Sequence, residues 1–220
     1  MKAAWLMLCA FAVPAVFAQN NIQNAKLQTD ADGGNLTATV KNLLSPGETP
    51  VWIAYEVDAV PGRRSSCCWN NGCQGCSLED KTFAGKPAAS KIYLEGFPRV
   101  QIFLRTVQGH VDSIHTYTPD CALDSGGLTV HWIDRVESSQ SVALLRSLIA
   151  ASNVDSKLRN RLSEQAIAAI AIHKDEGAEE VLEELTRPNH PDWMRRQAVH
   201  WIAQARGGRG FAFLQSVLTR

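Results

Sequence analysis

The sequence predicts an α+β chain in two domains: a small antiparallel β domain over 19–136, then an α-helical domain over 137–220. Three observations lead there. Apolar residues recur with a period of two up to about Val136. From Glu137 the period is helical. The helical part then repeats its own apolar register at an offset of 32 residues, as in Ala166/Ala198 and Ile170/Ile202.

In chain order, NLTATV (35–40) alternates and predicts a strand, and VWIAYEV (51–57) predicts a second from its β-branched and aromatic residues. Residues 99–118 predict a hairpin. Val100, Ile102 and Leu104 point to one face, and Gln108-Gly109 supplies the turn. LTVHWIDRV (128–136) predicts a further strand, introduced by Ser125-Gly126-Gly127. Turn residues such as Gly33-Gly34, Pro46-Gly47 and Pro61-Gly62 separate these runs, so about five to seven short strands are expected. His115 and His131 have the spacing to face one another across strands, without a third ligand at a recognisable interval. Asn35-Leu36-Thr37 fits a glycosylation acceptor, but that triplet is common.

The helix expected at 139–151 places Val142, Leu145, Leu148 and Ile149 on one face. Two helical hairpins follow, in which Leu162, Ala169, Leu182 and Leu185 correspond to Met194, Trp201, Leu214 and Val217. Pro188 and Pro191 end the first hairpin, and Asp192 is placed to cap the next helix.

Asp192, Arg195 three residues ahead of Ala198, Ile202, Gly207-Gly208 at the turn, and Leu214 together resemble a HEAT repeat of the short bacterial HEAT-like kind, over about 155–220. The preceding unit matches at Ala166, Ile170, Gly177 and Leu182 and departs at Ser163, where Arg195 has its counterpart. The resemblance implies stacked helix pairs with the helix at 139–151 as a cap. It also implies protein binding as the usual role. On such an array Glu180, Glu183, Glu184, Trp193, Arg195 and Arg196 are the candidate contact residues. The competing reading is a solvated face carrying Arg–Glu pairs, each worth about 0–1 kcal/mol. Trp201 stands at a core-facing register and is expected to pack inward.

The first 18 residues have the layout of a secretory signal peptide. Lys2 precedes an apolar run from Ala3 to Phe17, with Val16 and Ala18 at the −3 and −1 positions. Cleavage after Ala18 would leave an exported chain, periplasmic or secreted, with no membrane span. Lysine plus arginine and aspartate plus glutamate balance at 22 each, which argues against nucleic acid or an anionic membrane as the main partner.

CCWNNGCQGC (67–76) places Cys67, Cys68, Cys73 and Cys76 in one short loop, with Cys121 as a natural long-range partner. Export favours structural disulfides, whose pairing spacing alone does not fix. A zinc site and a thiol-redox site are the alternatives. Four residues between Cys68 and Cys73 are too few for a zinc ribbon, and no convincing helix follows Cys76 to lower a thiol pKa. There is no G-x-S-x-G, no H-E-x-x-H and no phosphate loop. The expectation is therefore a non-enzymatic interaction or scaffold protein, with no catalytic residue, cofactor or metal ligand assigned. A metal-binding or redox loop is the other reading.

Overall fold

Strand β3 (Val51–Asp58) is buried on both faces. Ile53, Tyr55 and Val57 point to one side, Trp52 and Ala54 to the other. Such two-sided burial makes β3 an interior strand between two apolar layers. The computed structural model describes residues 21–30, 33–44, 46–62, 75–79, 96–150 and 156–218. Its other strands are β1 (Ile22–Gln23), β2 (Lys26–Asp30), β4 (Cys76–Ser77), β5 (Arg99–Val107), β6 (His110–Tyr117), β7 (Leu123–Asp124) and β8 (Thr129–Ile133). Its helices are α1 (Leu36–Leu43), α2 (Ser138–Ala150), α3 (Ser156–Ala171), α4 (Glu176–Leu185), α5 (Asp192–Ala205) and α6 (Gly207–Leu218). The protein is thus mixed α+β, with the helices mostly C-terminal.

The sheet is mixed, where an antiparallel one was expected. Its order is β2-β8-β3-β5-β6. The β3–β5 and β5–β6 pairs are antiparallel, whereas β2–β8 and β8–β3 are parallel. Alternation along a strand has the same period in either orientation, so it carries no information about direction. The connections carry it. Gln108 (φ 50°) and Gly109 (φ 76°) make the tight turn that joins β5 to β6 antiparallel. The segment between β2 and β3 holds a helix and is long enough for a crossover. A second sheet, β1-β7-β4, is built from two-residue parallel strands that short-range pattern does not reveal.

The segment NLTATV is helical, which corrects the strand expected there. Leu36 and Val40, four apart, are 1% and 3% exposed in the core. The Asn35 side chain accepts from the Ala38 amide at 3.1 Å, an N-cap. Gln140 of α2 accepts from the Leu36 amide and donates to the Gly34 carbonyl. These contacts outweigh the β-preference of Thr37, Thr39 and Val40.

Helices cover one face of the large sheet. Ile53, Tyr55, Val100, Ile102, Leu104 and Ile133 share a continuous apolar cluster with Leu145, Ile167, Ile170, Leu182 and Ile202. On the other face Trp52, Phe103, Val130 and Trp132 pack with Leu78, Cys121 and Leu123 of the small-sheet layer. Among the helices, α2 packs on α3 and α4, α3 on α4 and α5, α4 on α5, and α5 on α6. Helix α3 also lies against β6, where Gln165 accepts from the Ile114 amide and donates to Ser113. A side chain thus blocks part of an exposed sheet edge. Helix α5 begins at Asp192 itself, after Pro191, and Asp192 makes no side-chain cap. It pairs instead with Arg195 at 3.2 Å.

Candidate functional site

Beyond Asp58 the chain of β3 continues into the helical layer. The Val60 amide donates to Ile172 O at 2.9 Å, and the Lys174 amide donates to Asp58 O at 2.9 Å. A β-bridge joins Ala59 to His173. This joint holds the α3–α4 turn beside the end of β3, and the α5–α6 turn lies next to both. Together they enclose a cleft of about 700 Å³ lined by Pro61, Lys174, Asp175, Glu176, Arg206 and Arg209, among others.

Arg206 organises the wall of the cleft. It caps α5, and its residue is only 9% exposed. Nη1 donates to His173 O at 2.9 Å and Nη2 to Ile170 O at 3.3 Å. A guanidinium therefore bonds carbonyls at and just beyond the C-terminal end of α3, where the dipole favours a cation, and Ile170 O also accepts from the His173 amide. Glu179 lies 3.7 Å from Arg206 Nη1 and 3.5 Å from Arg209 Nη1, so one carboxylate serves both arginines. Burial still pushes the Arg206 pKa down from its ordinary value.

Behind the cleft is a buried polar chain. The Ser141 hydroxyl lies 2.9 Å from Tyr55 OH and 2.7 Å from His173 Nε2, and His173 Nδ1 lies 2.7 Å from Ala169 O. A serine at this distance from an imidazole resembles part of a nucleophilic pair. All three side chains are 0% exposed, so no substrate reaches them in this conformation. Their geometry satisfies polar groups inside a joint.

The expected contact residues distribute unevenly. Glu180, Glu183 and Arg196 are exposed. Glu184 is partly buried and bonds His190 at 2.6 Å. Arg195 is partly buried and pairs with Asp192. Trp193 and Trp201 are both half-buried against the core. On α4, Glu176, Glu180 and Glu183 are exposed at spacings of four and three, which aligns them on one stripe beginning at the cleft.

Of the cysteines, Cys67, Cys68 and Cys73 lie outside the described residues. Cys76 sits on β4 opposite Leu123, and Cys121 is buried two residues before Leu123. The two are not bonded to each other. Cys121 Sγ is 3.8 Å from Thr118 Oγ1. Glu79, just after β4, is held by Arg105 through Nε and Nη2 at 3.0 Å and by the Trp52 indole at 3.0 Å. Arg105 also grips Asp112 at 2.6 Å. His115 and His131 do not face one another, because β3 and β5 stand between their strands. His131 bonds Asp30 at 2.7 Å, and the His115 ring lies 5.2 Å from that of Trp52. Among the described residues no group of three or more His, Cys, Asp or Glu gathers as a metal site requires.

Sequence reading missed Tyr55, Ser141, His173 and the buried role of Arg206. The available signal was His173 directly after Ile170-Ala171-Ile172, an imidazole continuing an apolar run. No protein-family model, curated protein or solved structure matches the chain.

Proposed function

We propose that the chain is an exported, non-enzymatic binding protein whose HEAT-like helical layer docks a basic segment of a partner protein along α4, beside the cleft. The carrying observation is the stripe of exposed carboxylates Glu176, Glu180 and Glu183, which has no ion-pair partner among the described residues. Neighbouring charges are paired: Glu179 with Arg206 and Arg209, and Glu184 with His190. Unpaired like charges on one stripe favour a partner of opposite charge and speed its encounter. The stacked-pair reading draws support from the packing of α3 on α5 and of α2 on both α3 and α4. In that reading α2 is the second helix of a pair that lacks its first. The cysteine loop then serves as a structural element, and its supporting observation is that β4 pairs with β7 two residues beyond Cys121.

The test is capture of a Lys/Arg-rich peptide, and of partners from the envelope extract of the source cells, by the mature protein. The triple variant Glu176→Lys/Glu180→Lys/Glu183→Lys, checked for native circular dichroism, should bind about tenfold or more weakly, and added salt should weaken the wild type similarly. Binding unchanged by the reversal would overturn the α4 assignment. Thiol exchange or stoichiometric zinc would favour a redox or metal role for the cysteine loop.

A further inference from the structure

The buried chain at the joint has a direction. Ala169 O can only accept, so His173 Nδ1 carries a hydrogen. In the neutral ring Nε2 is then the acceptor, and the Ser141 hydroxyl donates to it. Ser141 Oγ in turn accepts from the Tyr55 hydroxyl. Every hydrogen has one acceptor, in the order Tyr55, Ser141, His173, Ala169.

Protonating the ring breaks the order. Nε2 becomes a donor to Ser141 Oγ, and whichever way the two hydroxyls then turn, one hydrogen of Ser141 or Tyr55 is left without an acceptor. No further acceptor for either hydroxyl exists among the described residues. An unmatched buried donor is costly, and so is a buried charge. The charged groups around the ring divide. Arg206 from α5, bonded to His173 O, opposes a second positive charge, and Asp175 at the start of α4 favours one. Glu179 of α4 is engaged with Arg206 and with Arg209 of α6. Strand β3 offers only the Tyr55 phenol and α2 only the Ser141 hydroxyl. Lys174, the next residue along, is exposed.

We infer that His173 is a pH-operated latch between the sheet and the helical layer, closed when its ring is neutral and released by acid. The latch sits where it can act, because the Val60 and Lys174 amides on either side of it carry the backbone bonds of the joint. Burial holds the ring below its ordinary value of 6.5, at about 4. The closed form therefore binds fewer protons than the open one. Its full advantage is present above pH 6.5, declines as the pH falls from 6.5 to 4, and is gone below that. A shift of that size is about 300-fold in the closed-to-open ratio.

The experiment is hydrogen exchange at the Val60 and Lys174 amides of the mature protein from pH 7 to 4, corrected for intrinsic rates, alongside an NMR titration of the His173 ring. In the wild type the opening constant should rise up to about tenfold per pH unit below 6.5, with the folded ring titrating near 4. His173→Gln keeps one donor and one acceptor without a titrating group and should give a flat profile. Tyr55→Phe only moves the unmatched hydrogen of the protonated form onto Ser141, so the ring should still titrate near 4 and the profile should stay steep. A folded ring titrating at 6.5 in the wild type, or a His173→Gln profile as steep as the wild type's, would overturn the latch.

Discussion

At the scale of single residues the helical layer is set by close approaches. A Cβ built on Gly210 would lie 2.4 Å from the Ile202 carbonyl oxygen and 2.9 Å from Arg206 Cβ, whereas one on Gly208 meets nothing within 4 Å. Both glycines stand in the first turn of α6, so they look alike in the sequence. Gly210→Ala should push α6 away from α5 and cost about 2 kcal/mol in urea unfolding. Gly208→Ala should be neutral or stabilise by about 0.5 kcal/mol through reduced freedom of the unfolded chain. Equal effects at the two positions would mean the α5–α6 contact is looser than described. The same distinction governs Arg195 and Arg206. The spacing of Arg195 from Ala198 drew attention to it, yet it makes a surface pair. Arg206 closes the end of α3 from inside the core. Composition does not reveal which arginine is buried, because burial depends on carbonyls more than thirty residues away.

At the scale of elements, α1 shows where local pattern and tertiary contact disagree. Its threonines and valine favour a strand, and four anchors make it a helix: the Asn35 cap, the Gln140 clasp, and the burial of Leu36 and Val40. Asn35→Ala should destabilise the protein by about 1 kcal/mol and lower exchange protection at the Ala38 amide. Unaltered protection there would show that Gln140 alone holds the helix start. The same side chain bears on the Asn35-Leu36-Thr37 triplet, because its oxygen is committed to the cap. Elements with long, self-consistent patterns were legible beforehand. The β5–β6 hairpin, β3, β8 and α2 to α6 lie close to where periodicity and turn residues put them. Strands β1, β4 and β7 were not legible, since two residues carry no period and exist as strands only through their pairing.

At the scale of the whole molecule, sheet and helices share one apolar cluster reaching from Leu36 to Ile202. Val136, at the boundary drawn from sequence, is itself 7% exposed within that cluster. Linkers between independent domains are ordinarily exposed and polar. Urea unfolding of the mature protein should therefore give one transition, coincident by tryptophan fluorescence and by far-ultraviolet circular dichroism. Two transitions, or a stable proteolytic fragment starting near residue 137, would show that the halves fold separately. The sequence by itself determined the change of period near Glu137, the hairpin turn at Gln108-Gly109 and the helical registers, because each depends on residues a few positions apart. Only the tertiary structure decided strand direction, the helical state of 36–43, and the meeting of Tyr55, Ser141, His173 and Arg206. Those depend on groups brought together from distant parts of the chain, and a one-dimensional pattern holds no distance between them.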